Sequence, residues 1–192
     1  MQDLFNALKA LYQTHDSEIA KSSIRTIEEA EVTDPMLKPQ WDPLCNLVAG
    51  LKAEELTLSL TSLVLKYMKE LHWRKAVSGK LPAYYSDKMA AVELIGPTGM
   101  FHNSTGKLGF FLQAPGVYYP SHWHPAEELY YVLNGTSGWS VDDDPLTSCQ
   151  PETWIHHRSL QPHTMETYQE PLLALWTWSG DLSIDGYEIK ET

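Results

Sequence analysis

The segment from residue 116 to residue 135, GVYYPSHWHPAEELYYVLNG, constrains the fold more than any other part of the chain. Two strand-like runs flank a Pro-Ala pair that can form the turn between them. Alternate side chains of a strand share a face, so His122 and His124 point together. On the second run, Glu128 and Tyr130 share a face for the same reason. Two imidazoles and a carboxylate can therefore converge from neighbouring strands.

A metal ion at this point would need a further ligand. His163 in the run SLQPHTM is the best candidate, with His156 and His157 as rivals. The predicted ligand set is His122, His124, Glu128 and His163. Three imidazoles and one carboxylate suit zinc, iron, manganese, nickel or cobalt, and no thiolate selects among these metals. The predicted cofactor is therefore one divalent transition metal ion.

Short, aromatic-rich segments separated by turn residues dominate the chain from about residue 84. Each of the runs AAVELIG, KLGFFLQA, ELYYVLNG, TSGWSVD and PLLALWTWSG has the composition of a strand. Several short strands at this spacing are typical of an antiparallel sandwich or barrel. We therefore expect a mainly β domain over residues 81–192.

In the first 75 residues, apolar residues instead recur at the spacing of a helix. Between residues 54 and 73, apolar residues three or four apart make one stripe, formed by Leu56, Leu60, Leu63, Tyr67 and Leu71. Prolines at 35, 39 and 43 interrupt the pattern between two helical stretches. We expect residues 1–80 to form a helical region that packs on the barrel, since the apolar stripe needs a partner.

Composition limits the classes of partner. The chain has 192 residues and a formal net charge of -11, which argues against binding to nucleic acid. Its first residues lack a long apolar run, and no stretch approaches the roughly 18 apolar residues of a membrane helix. We expect a cytoplasmic protein that acts on a small molecule, and a homodimer is one option for its assembly.

The histidine-rich segment resembles the first cupin motif, G-x5-HxH-x3-E-x6-G. It matches at every fixed position, which are Gly116, His122, His124, Glu128 and Gly135. The second cupin motif is looser, because HHRSLQPHTMET offers Pro162 and His163 without the usual glycine and terminal asparagine. The resemblance implies a double-stranded β-helix, or jelly-roll, barrel with an N-terminal helical extension.

A narrower resemblance covers residues 84–192. The runs HWHPAEELYYVLNG, HHRSLQPHTM and LLALWTWSGDL are similar to the cupin dimethylsulfoniopropionate lyases of marine bacteria. The resemblance implies a metal-dependent carbon–sulfur lyase that releases dimethyl sulfide and acrylate by β-elimination. It assigns Tyr130, two positions after the motif glutamate, as the base that removes the α-proton. It also implies a substrate contact at Tyr119, the runner-up for the base.

The substrate of such a lyase is a zwitterion with a carboxylate at one end and a sulfonium at the other. Aromatic faces attract a cation by about 0.5–2 kcal/mol. Trp178 and Tyr119 are the predicted contacts of the sulfonium, ahead of Trp123 and Trp176. The same ligand set would also serve a cupin dioxygenase or a non-enzymatic sensor that binds metal and ligand. A sugar-phosphate isomerase is a weaker alternative, because the predicted strands carry few lysines or arginines.

Overall fold

The computed structural model describes residues 1–30, 35–50, 58–76, 82–142 and 144–190. Its helices are α1 (Gln2–Tyr12), α2 (Glu18–Glu29), the 3-10 helix Pro43–Gly50, α3 (Leu58–Tyr67) and α4 (Ala83–Ser86). The first six strands are β1 (Arg74–Lys75), β2 (Met89–Gly96), β3 (Phe101–His102), β4 (Gly106–Gln113), β5 (Tyr118–Trp123) and β6 (Ala126–Asn134). The other six are β7 (Ser137–Val141), β8 (Thr147–Cys149), β9 (Trp154–His157), β10 (His163–Thr167), β11 (Leu172–Gly180) and β12 (Glu188–Ile189).

Within the described residues, the strands form two sheets. The larger has the order β1-β2-β4-β11-β6-β9, with β3 pairing beside β2, and the smaller has the order β12-β5-β10-β7-β8. All pairs are antiparallel except β2 with β3. The predicted mainly β, double-stranded β-helix barrel with helices at its N-terminal end is confirmed. All five strands predicted from composition are present, with ends within two residues of those expected.

The larger sheet separates two apolar cores. Along β6, Leu129 and Tyr131 belong to a core shared with the helices, whereas Tyr130 and Val132 belong to the core inside the barrel. The face assignment made from strand alternation is thereby confirmed. The inner face of β6 is the one that carries Glu128.

The helices cover the outer face of the larger sheet. Helix α1 buries Leu4, Phe5, Leu8 and Tyr12, and α2 buries an equally regular stripe. The hydroxyl of Ser17 caps α2 by accepting a hydrogen bond from the backbone N–H of Ala20. These helices join a single cluster with residues of β2, β4, β6 and β11. No helix of the described residues is long and apolar enough to span a membrane.

The second predicted helix is shorter than expected. Helix α3 ends at Tyr67, although the apolar stripe continues to Leu71, and Leu56 lies outside the described residues. The carbonyl of Met68 accepts a hydrogen bond from the buried indole of Trp73. In a longer helix, that carbonyl would instead accept a hydrogen bond from the backbone N–H four residues later. The chain instead enters the larger sheet at β1.

An irregularity in β5 shapes the barrel interior. His163 of β10 lies opposite His122, and Met165 lies opposite Tyr119, so three steps along β5 match two steps along β10. The extra residue is the signature of a β-bulge, and Pro120 lies within it. Both Tyr119 and His122 are buried as a result. Strict alternation would have placed them on opposite faces.

Candidate metal centre

The four predicted ligands come together between the two sheets. His122 and His124 lie on and just after β5, and His163 begins β10, so all three belong to the smaller sheet. Glu128 projects from β6 in the larger sheet. All four side chains are buried, with 2% of each residue exposed. The histidine pair and the glutamate thus face each other across the barrel, although only a short turn separates them in sequence.

The tightest group contains three residues. His124, Glu128 and His163 each offer one ligand atom, and these atoms lie within 4.8 Å of one another. The Nε2 atom of His124 lies 3.0 Å from Oε2 of Glu128, and Nε2 of His163 lies 3.4 Å from the same oxygen. The ring of His122 lies beside the group, with its centroid 4.1 Å from that of His163. This buried cluster could hold a metal ion.

Backbone carbonyls fix how the three imidazoles are presented. Each ring places Nδ1 within hydrogen-bonding distance of a carbonyl two residues away: His122 with Pro120 at 2.8 Å, His124 with Ala126 at 3.0 Å and His163 with Gln161 at 2.8 Å. Donation from Nδ1 leaves the lone pair on Nε2 free for a metal, an arrangement common around histidine ligands. Nε2 of His163 is buried and makes no hydrogen bond within the described residues. A metal ion would satisfy this atom.

The carboxylate of Glu128 is held from its other side by Trp178. The indole Nε1–H donates a hydrogen bond of 2.6 Å to Oε1. Burial alone would raise the pKa of the carboxyl, but the surrounding imidazoles of His124, His157 and His163 lower it well below its usual value. Glu128 is therefore an anion at neutral pH, and its Oε2 faces the imidazoles.

Trp178 lies between two charged residues in the larger sheet. It pairs across the strands with Glu128 on one side and Lys107 on the other. The ammonium of Lys107 lies 5.1 Å from the centre of the indole ring, and the ring of His124 lies 4.2 Å away. Lys107 also donates a hydrogen bond of 2.8 Å to the carbonyl of Leu182.

His157 is a fifth donor at the edge of the centre. It is fully buried, its ring stacks on that of His163 at 3.9 Å, and neither ring nitrogen makes a hydrogen bond within the described residues. Its Nδ1 lies 3.7 Å from Oε2 of Glu128. Burial lowers the pKa of His157 to about 4, so the ring is neutral. The other rival, His156, is half-exposed and pairs with Glu127 at 2.7 Å, away from the centre.

Three tyrosines surround the ligands. Tyr130 is buried inside the barrel, and burial raises the pKa of its hydroxyl well above the usual value, with a further increase from the carboxylate of Glu128. Tyr119 stacks on His122 with ring centroids 4.0 Å apart and an angle of 10°. Its hydroxyl is hydrogen-bonded to that of Tyr187. Sequence reasoning missed Tyr187, because it lies outside the motifs and the predicted strands.

A cavity of about 610 Å³ opens onto this centre. Its walls include His122, His124, Glu128 and all three tyrosines, whereas Trp123 does not line it. Cationic groups also reach the cavity wall, namely Arg74, Lys75 and Lys107. The sequence patterns did not predict these cationic groups at the site, since Arg74 and Lys75 precede the predicted barrel strands. The arrangement combines a metal-binding cluster, phenolic hydroxyls and aromatic surface in one space.

A family model for dimethylsulfoniopropionate lyase matches residues 17–174. A curated relative, dimethylsulfoniopropionate lyase DddQ of Ruegeria pomeroyi, is 36% identical over 111 residues. That alignment covers 57% of this chain and 55% of the relative, so it spans about half the length of the relative.

Solved structures of dimethylsulfoniopropionate lyases share the fold along nearly the whole chain. The DddQ structure from Ruegeria pomeroyi DSS-3 has a TM-score of 0.76 at 26% identity, covering 95% of this chain and 94% of that one. A chain from the structures of the lyases RdDddP and RnDddQII has a TM-score of 0.80 at 20% identity, covering 99% and 97%. The helical layer is thus part of the shared architecture.

Proposed function

The chain belongs to the dimethylsulfoniopropionate lyase family, and from this membership we propose that it is a metal-dependent carbon–sulfur lyase. Its substrate is dimethylsulfoniopropionate, a small zwitterion, and its products are dimethyl sulfide and acrylate. The observation that carries the proposal is the buried cluster of His124, Glu128 and His163 beside a cavity lined by phenolic hydroxyls. That combination provides ligands for a metal and a candidate base in one enclosed space.

The proposed ligands are the four residues predicted from the sequence, His122, His124, Glu128 and His163. A divalent metal ion held by these residues would supply positive charge that stabilises negative charge on the substrate carboxylate and favours a phenolate nearby. The carbonyl-anchored rings keep Nε2 aimed at the centre before any metal arrives. His157 is a further candidate ligand. Its ring nitrogens make no hydrogen bond within the described residues, and the ring lies next to His163 and Glu128.

Tyr130 is the proposed base. Its oxygen takes the proton from the carbon next to the carboxylate, the electron pair of that C–H bond forms the new double bond, and the C–S bond breaks. Dimethyl sulfide leaves as a neutral thioether and needs no proton donor. Burial and Glu128 keep the free phenol protonated, so the base form depends on positive charge in the site. Tyr119 is less available for proton transfer, because its hydroxyl is bonded to Tyr187.

Tyr119 and Trp178 are proposed to contact the substrate along the cavity wall. Lys107 already lies over the ring of Trp178, so a sulfonium at that face would be repelled by the ammonium. Phe111 stacks beside Tyr119, with the ring centroids 6.4 Å apart. We therefore give Trp178 its main role through the hydrogen bond to Glu128 and keep Tyr119 as the substrate contact.

Headspace dimethyl sulfide and dissolved acrylate, measured with metal-loaded and chelator-treated protein, test the activity. We expect turnover that depends on metal and that leaves dissolved oxygen unchanged. Oxygen consumption with substrate would favour the dioxygenase alternative, and tight substrate binding without products would favour the sensor.

The Tyr130→Phe variant tests the mechanism. It should retain metal and lose turnover by about 10²–10⁴-fold, the usual contribution of a general base. Tyr131→Phe is the matched control, because Tyr131 is the next residue of β6 but packs in the helix-side core. Near-normal turnover by Tyr130→Phe would exclude Tyr130 as the base.

A further inference from the structure

We propose that Tyr187 is a catalytic residue that, together with Tyr119, forms a hydroxyl pair donating a hydrogen bond to the carboxylate of the substrate. This inference rests on the proposed lyase function and extends it to a residue outside the motifs. The pair would strengthen its hydrogen bond as negative charge accumulates on the carboxylate oxygens during proton removal.

The position of Tyr187 is set by the chain segment that follows β11. Immediately after it, β12 adds to the edge of the smaller sheet, where Glu188 pairs with Trp123 and Ile189 with His122. Just before it, Gly186 lies so close to Pro125 that an added Cβ would come within 2.7 Å of the proline ring. Tyr187 is consequently 5% exposed and is fixed against the strand that carries the histidine pair.

Aromatic packing directs the Tyr187 side chain toward the ligands. Its ring is nearly parallel to those of His122 and His124, at 26° and 17°, with centroids 5.6 and 5.9 Å away. Tyr119 stacks on His122 as well, which brings the two phenols together at one end of the cavity. The hydroxyls meet in a hydrogen bond that either oxygen can donate.

One proton of the hydroxyl pair has no acceptor among the described residues. Two hydroxyls carry two protons, and their mutual hydrogen bond uses one of them. Among the described residues, neither hydroxyl makes a second hydrogen bond. A buried donor without an acceptor is unfavourable. The second proton is therefore available to a ligand in the cavity that both tyrosines line.

The chemistry of the free donor selects the carboxylate end of the substrate. A hydroxyl proton attracts an anionic oxygen and repels the sulfonium. Donors placed where negative charge develops lower the barrier more than they strengthen ground-state binding. The hydroxyl pair would thus act as an oxyanion-binding element on the β5 side of the cavity, while Tyr130 approaches from β6.

The test compares Tyr187→Phe, Tyr119→Phe and the double variant with wild-type protein, all in metal-loaded form. Each single change deletes one oxygen and keeps the ring. We expect unchanged metal content and a loss of kcat/KM of about 10²–10³-fold, as for removal of an oxyanion-hole donor. The double variant should lose little more than either single one, because the hydroxyls act as a unit. Tyr118→Phe, at an exposed neighbour of Tyr119, is the control.

Binding of propionate, a carboxylate without a leaving group, provides a readout independent of turnover. Calorimetry should show weaker propionate binding for Tyr187→Phe and Tyr119→Phe than for wild type and Tyr118→Phe. If the wild type releases no dimethyl sulfide, the proposed lyase function fails, but this binding difference would still support the hydroxyl pair. Equal propionate affinity in all four proteins would overturn it. Loss of metal from Tyr187→Phe would also overturn it, since the residue would then be structural.

Discussion

Replacing Trp178 by phenylalanine should weaken metal binding, although Trp178 is not a ligand. The change keeps an aromatic ring beside His124 and removes the indole N–H that donates to Oε1 of Glu128. Glu128 is buried and anionic, so the oxygen would be left without this donor in a place where water has little access. A less firmly held carboxylate then presents Oε2 to the metal less well.

The size of the effect follows from the bond that is lost. Hydrogen bonds to charged groups contribute about 1.5–3 kcal/mol, and every 1.4 kcal/mol corresponds to about tenfold in affinity. We therefore expect the metal dissociation constant to rise by about 10–100-fold, which is the usual effect of losing a group that orients a metal ligand. Stability should change less in the metal-free protein than in the metal-loaded protein.

Trp176→Phe is a closely matched control. Trp176 lies two residues earlier on the same strand and also lines the cavity, but its buried indole nitrogen makes no hydrogen bond within the described residues. Competition with a calibrated metal chelator gives the dissociation constants, and elemental analysis gives the occupancy after dialysis. We expect Trp176→Phe to match wild type.

Metal binding as tight as wild type in both tryptophan variants would contradict a role for the Trp178 hydrogen bond. Equal weakening of metal binding in both variants would also contradict that role, because the loss would then reflect packing in the cavity wall rather than the hydrogen bond to Glu128. A loss confined to Trp178→Phe would show that the carboxylate must be held from both sides.

Three further outcomes are expected. His163→Ala should lose most of its metal by elemental analysis, and normal metal content would show that His157 takes over as a ligand. Leu8→Ala, a fully buried position under the larger sheet, should lower the free energy of unfolding by about 2–5 kcal/mol in a denaturant titration; a change under 1 kcal/mol would contradict tight packing of the helical layer. Because burial raises the pKa of Tyr130 and its proposed active form is the deprotonated one, kcat should increase toward alkaline pH; a flat profile would count against a phenolate base.

Strand alternation and motif spacing predict much of the candidate site. The alternation placed Tyr130 inside and Tyr131 outside, and the structure confirms both. It also placed His122 and His124 on one face, which the burial of both supports. These predictions work because the period of a strand is insensitive to which sheet the strand joins. For the same reason, alternation did not reveal that the histidine pair and Glu128 belong to different sheets.

The sequence patterns do not predict which residues reach the site through pairing between distant strands. Tyr187 enters the site only because β12 pairs with β5, more than 60 residues earlier in the chain. Lys107 meets Trp178 only because β4 and β11 are neighbours in the larger sheet. Neither pairing has a local signal, since β12 has two residues and neither strand is close in sequence to its partner.

The bulge in β5 has a local sign in the sequence and a consequence for long-range contacts. Without the extra residue, Tyr119 would face away from His122, and the hydroxyl pair with Tyr187 could not form inside the barrel. Pro120 is a local sign of it, because proline lacks the N–H that a regular ladder requires. Pro120 therefore marks the point where Tyr119 and His122, two residues of opposite parity, come to face the candidate metal centre. The position of Tyr119 beside His122 thus depends on this departure from regular geometry.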